Sequence, residues 1–147
     1  MKKLLAFIFL ASIMFFSECK KYPEGPAISL ISKKERMANE WRLSKYLEDD
    51  IDKTSDFNNI FTKFEFNTTK AGEYTINRQY FSVISTTEMG KWSFSGDKED
   101  LILQPTYINT GTLPEKSSWQ ILKLKEDELW IRNFDSNGKK TEYHLIP

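Results

Sequence analysis

One histidine, one cysteine and a few adjacent acidic pairs are the residues of this 147-residue chain that acid–base or nucleophilic chemistry would use. A serine–histidine–acid triad would have to recruit His144, the only imidazole. It follows Tyr143 on the last alternating stretch and reads as a surface histidine. Glu99/Asp100, Glu126/Asp127 and Asp49/Asp50 fall at turns, where solvation accounts for them. A single cysteine and a single histidine exclude Cys/His zinc sites. Asp50, Asp52, Thr54 and Asp56 place oxygens at alternate positions, as a calcium loop does. The required glycine is missing, however, and Phe61 stands where the closing glutamate belongs, so the stretch reads as a solvated loop. No glycine-rich phosphate loop is present. The sequence thus offers no catalytic residues, metal site or cofactor site.

Composition sets the rest of the frame. The chain is 39% hydrophobic and 14% aromatic, so aromatic side chains must carry much of the core. Formal net charge is zero, with no basic surplus for nucleic acid. The length suits one domain.

Lys2 and Lys3 precede an apolar run, Leu4 to Phe16, that is shorter than the ~20 residues of a membrane-spanning helix. It has the length of a signal-peptide core. Cys19 follows directly. A cysteine there resembles the lipobox of bacterial lipoproteins, whose thiol becomes the lipid-modified mature N-terminus. Ordinary secretion or an uncleaved anchor is the alternative. Residues 1–18 are therefore expected to be a signal peptide, with Cys19 as the site of lipid attachment. Residues 19–31, with Pro23, Gly25 and Pro26, form a spacer.

Residues 32–147 carry the folding pattern. Ser32-x-x-Glu35 is a capping box for a helix of about two turns. From Trp41 the apolar period becomes two, with Trp41, Leu43 and Leu47 on one face. Arg42, Ser44 and Tyr46 take the other, and Lys45 interrupts the apolar face. Thr62, Phe64 and Phe66, then Tyr74 and Ile76, form a hairpin. Tyr80 to Ser85 is a further β-rich segment. Gly90, Trp92 and Phe94 alternate, and Leu101 and Leu103 return. In the stretch Trp119 to Leu124, either Trp119 and Ile121 or Leu122 and Leu124 point inward, and a bulge would use both sets. Asn137-Gly138 signals a type I′ hairpin. Eight or nine short strands in a meander predict an all-β, up-and-down antiparallel barrel with a short N-terminal helix. An open β-sandwich is the alternative.

Several stretches together resemble the lipocalin-like, calycin-type lipoproteins of the Gram-negative envelope. They are Cys19 to Pro26, Ser32 to Trp41, Gly90 to Phe94 followed by Leu101 and Leu103, and Ile121 to Trp130. Asn39 stands where the lipocalin glycine before the tryptophan would be. The resemblance implies a lipocalin-like barrel and no general activity. It also implies that Trp41 closes one end of the barrel beside an arginine, with Arg132 the candidate and Arg42 the weaker one. Lys20 after Cys19 favours an outer-membrane anchor, and the missing acidic run favours a domain facing the periplasm.

The expected ligand-facing set is Phe64, Phe66, Tyr74, Gly90, Trp92 and Phe94. Large residues on a small circumference fill space. Gly90 is the one small inward position and predicts an opening at its end of the barrel. There a shallow, aromatic-lined pocket would take a small apolar or amphipathic molecule, with Tyr74 as polar handle. The alternative is a filled barrel acting as a structural or interaction protein. Its contact residues would be the outward Tyr46, Phe61, Trp130 or Phe134.

Overall fold

A computed structural model describes residues 30–58, 60–68, 72–81 and 83–147. The expected signal peptide at 1–18, Cys19 and nearly all of the expected spacer lie outside them.

The capping box forms as the sequence requires. Ser32 Oγ accepts from the Glu35 amide at 3.2 Å, and Glu35 Oε2 accepts from the Ser32 amide at 2.9 Å. The helix it starts, α1 (Lys33–Met37), is short. Nine strands follow: β1 (Glu40–Glu48), β2 (Ile51–Asp52), β3 (Ile60–Asn67), β4 (Glu73–Tyr80), β5 (Ile84–Phe94), β6 (Asp100–Ile108), β7 (Ser117–Leu124), β8 (Leu129–Phe134) and β9 (Lys140–Ile146). Each long strand pairs antiparallel with the next, and β9 returns to β1. Eight strands thus close a barrel, and β2 is an extra two-residue strand on β1. The expected up-and-down barrel is the fold.

Three bulges re-aim side chains. In the β1–β9 ladder, Leu43 faces Leu145 but Lys45 faces His144, leaving Ser44 as the extra residue. Trp41 and Leu43 therefore point inward before the bulge, and Tyr46 after it. This corrects the sequence reading, which put Tyr46 outside and Leu47 inside. Lys45 interrupts the apolar pattern because the strand turns over there. A second bulge leaves Leu122 unpaired between Ile121 and Lys123. It buries Ile121, Leu122 and Leu124 together, so both candidate sets are used. The third lies between Met89 and Gly90 in the β5–β6 ladder.

Two turns differ from expectation. Tyr80 to Ser85 is not a strand of its own: Tyr80 ends β4, Ile84 and Ser85 open β5, and the chain turns between them. Val83 N bonds Tyr80 O, and Phe81 adopts φ 50°. Its apolar residues stand in solvent, so β-propensity there was misleading. At Asn137-Gly138 only the glycine has positive φ, and a five-residue loop replaces the I′ turn. The Asp135 carboxylate gathers the Asn137 and Lys139 amides. Consecutive positive φ values occur instead at Asp49 and Asp50, joining β1 to β2.

Helix α1 seals the barrel end where β1 begins. Met37 and Trp41 are both 0% exposed, and Trp41 Nε1 donates to Met37 O at 3.1 Å. The expected arginine partner is elsewhere. Arg132 lies on the outer face of β8, bonded to Gln120 at 2.7 Å and set over the Phe134 ring. Arg42 donates to Pro147 O. The indole is held by a backbone carbonyl because the helix, not a strand, covers it. Trp41→Ala removes the seal and leaves a cavity, so it should cost about 3–5 kcal/mol in urea unfolding. A loss under ~1 kcal/mol would show that the end collapses without it.

Candidate functional site

The end opposite α1 is where chemistry gathers. On β4 the inward residues are Tyr74, Ile76 and Arg78; on β5 they are Glu88, Gly90 and Trp92. Register sets Ile76 against Glu88, so Tyr74 and Arg78 lie on the two diagonals of Glu88. Tyr74 Oη donates to Glu88 Oε1 at 2.7 Å. Arg78 lies 3.6 Å from Glu88 Oε2. Glu88 is only 6% exposed, and each of its carboxylate oxygens faces a partner inside the protein.

Aromatic rings from four other strands pack beside this pair. Tyr143 of β9 stacks on Trp119 of β7, centroids 5.1 Å apart and planes 20° apart. It also meets Phe64 of β3 at 5.8 Å and Tyr46 of β1 at 5.6 Å. The last contact exists only because the Ser44 bulge turns Tyr46 inward. Phe64, Trp119 and Tyr143, with Arg78 and Glu88, surround a cavity of about 280 Å³. Ile76, Leu103 and Ile131 line its floor, while Pro114 and Glu115 reach it from the β6–β7 connection. Cross-strand from Arg78, the buried Thr62 hydroxyl has no hydrogen-bond partner.

The residues expected to face a ligand divide. Phe64 lines this cavity. Phe66, Trp92 and Phe94 pack edge-on to one another deeper in the barrel. The Tyr74 hydroxyl, expected as a polar handle for a ligand, is bonded to Glu88, and Tyr74 does not line this cavity. Gly90 is placed differently from expectation. A Cβ there would sit 2.3 Å from Gln104 O and 2.7 Å from the Tyr74 ring, so its small size admits the β6 backbone rather than a ligand. The hollow that includes Gly90 lies on the outer wall beside Met89 and Tyr107.

Sequence reasoning missed Glu88, Arg78, Trp119 and Tyr143 as one cluster. The signal existed for the charged pair. Extending Trp92–Gly90 back by two gives Glu88, and extending Tyr74–Ile76 forward by two gives Arg78. Opposite charges on two inward faces should have marked a pair.

His144 is on the outer face, where Nε2 meets Glu142 Oε1 at 2.7 Å and the ring stacks on Trp130. Ser44 Oγ donates to the His144 main-chain oxygen, not to the ring.

Burial and the Glu88 carboxylate push the Tyr74 phenol up, and burial does the same for Tyr143. Tyr46 is pushed up to about 12 by burial and by its hydrogen bond to Glu48. A raised folded pKa leaves this stability intact below the unfolded value near 10 and removes it as pH climbs through the folded value. Unfolding free energy should therefore fall from about pH 10 to 12. In Tyr46→Phe that alkaline loss should be smaller, measured by denaturant titration at each pH. An unchanged slope would place the loss elsewhere.

Compared with known proteins, the chain matches no family profile, and no curated protein is significantly similar to it. The structure supports the earlier resemblance at the level of architecture: an eight-stranded, closed antiparallel β-barrel, compatible with a lipocalin-like fold.

Proposed function

We propose that this domain is a small-molecule binding barrel, tethered to the outer membrane through Cys19 and facing the periplasm, with no reaction of its own. The observation that carries the binding reading is the cavity of about 280 Å³ at the open end, an apolar chamber with a fixed ion pair in its wall. A chain that needed only a core would fill this space with side chains, as it does near Trp92. A buried ion pair is often no more stabilising than well-packed apolar residues. Its retention beside an unfilled space favours recognition. The ligand class is a small amphipathic molecule, because the volume has room for roughly nine waters. The lipocalin-like resemblance and the apolar run ending at Cys19 support the envelope placement.

A second reading, a protein-interaction lipoprotein, is favoured by the β4–β5 turn. Phe81, Val83 and Ile84 are 71%, 85% and 62% exposed there.

Titration of the domain with a fluorescent apolar probe tests the binding reading. Saturable quenching of tryptophan emission is expected, and it should be lost in Trp119→Ala while Trp92 remains. Absence of saturable binding would leave the partner-binding reading. For the tether, Cys19→Ala should release the protein from membranes and remove the acyl mass. An unmodified Cys19 in the native protein would overturn it.

A further inference from the structure

Resting on the pocket reading above, we infer that the ligand's polar end is an uncharged hydrogen-bond acceptor, a carbonyl of the ketone, ester or amide kind, carried on a flat or cyclic body. Charges and hydrogen-bonding groups around the cavity decide the class. Arg78 and Glu88 neutralise each other within the cavity, and the one further charge on its lining, Glu115, is exposed to solvent on the β6–β7 connection. A carboxylate would find no spare cation there and an ammonium only a solvated surface carboxylate, so burying either beside the pair leaves one charge poorly compensated.

Hydrogen bonding narrows the class further. Both oxygens of Glu88 are already engaged, one by Tyr74 and one by Arg78. What remains at the cavity is mostly donor capacity. A guanidinium has five N–H groups, and Glu88 uses only part of them at 3.6 Å. The Tyr143 hydroxyl lies beside the same arginine, and burial of the phenol keeps it protonated. Thr62 supplies a buried, unpartnered hydroxyl one strand away. A donor-rich interior whose buried charges cancel selects an acceptor with no charge. The near-parallel Trp119 and Tyr143 rings supply a flat wall for the body of the ligand.

Three molecules of matched size test this: 4-phenylbutan-2-one, 3-phenylpropanoate and 3-phenylpropan-1-amine, each titrated calorimetrically into the full domain. The ketone should bind about tenfold more tightly than either charged compound. Glu88→Gln keeps an acceptor for Tyr74 but frees the charge of Arg78, so it should reverse the order and favour the carboxylate. Equal or tighter binding of the carboxylate or amine to the unaltered domain would overturn the inference and leave the pocket standing. So would an unchanged order in a folded Glu88→Gln variant. No binding by any of the three would overturn the pocket reading and this inference together.

Discussion

Eight strands closed on one another enclose a space wide enough for packed side chains or one small ligand and little more, and the rest of the structure answers to that limit. At the α1 end the space is used up by Trp41, Met37, Phe66 and Trp92, all buried. Where strands must approach too closely for a side chain, glycine appears: Gly90 lets the β6 backbone and the Tyr74 ring meet over β5. Where the strand direction would send a ring the wrong way, a bulge corrects it, as at Ser44 before Tyr46. Closure also leaves the eight long strands paired on both sides over much of their length, so little edge is presented to other chains.

The same limit gives the open end its character. β6 and β7 pair only from Asp100–Leu103 to Ser117–Gln120, so the upper part of β6 parts from its neighbour. The connection through Pro114 and Glu115 spans that gap, and the chamber lies below it. Into this wider part the chain places its polar interior groups. Tyr74 joins the two regions, with its ring against Phe66 in the packed half and its hydroxyl on Glu88 in the open half. The ion pair is thus positioned by two adjacent strands of fixed register rather than by a loop, which holds its geometry firmly.

Period-two alternation made the barrel legible, because in a small closed sheet every strand repeats the same inside–outside question. Phe64, Phe66, Trp92, Leu101 and Leu103 all answer it as their spacing requires. The capping box at Ser32 and the burial of Trp41 were equally plain. What stayed hidden depends on one-residue insertions and on pairs distant in sequence. Nothing local at Ser44 announces that the strand turns over; only Lys45 in an apolar series hinted at it. Arg132 beside Trp41 was an expectation carried by resemblance, and helix α1 had already met the indole's need through Met37 O. Gly90 was read as an opening because a missing side chain looks the same in a sequence whether a ligand or a backbone fills the space. The Arg78–Glu88 pair followed the alternation, yet charged residues at inward positions are easily discounted when a core is being sought.

The return of β9 to β1 carries a consequence for the order of events in folding. Every other long-strand junction in the barrel links neighbours in sequence, but this one joins distant residues, from Glu48 with Thr141 to Arg42 with Ile146. Hairpins of the kind formed by β3–β4 and β4–β5 assemble in microseconds on their own, whereas a distant ladder must wait for the chain between to organise. Closure is therefore the late, slow step, and until it occurs β1 and β9 each expose a raw edge. The cavity, whose wall takes Tyr143 from β9 and Phe64 from β3, does not exist before that step. The open sheet that precedes closure is also the species most exposed to pairing with its own kind.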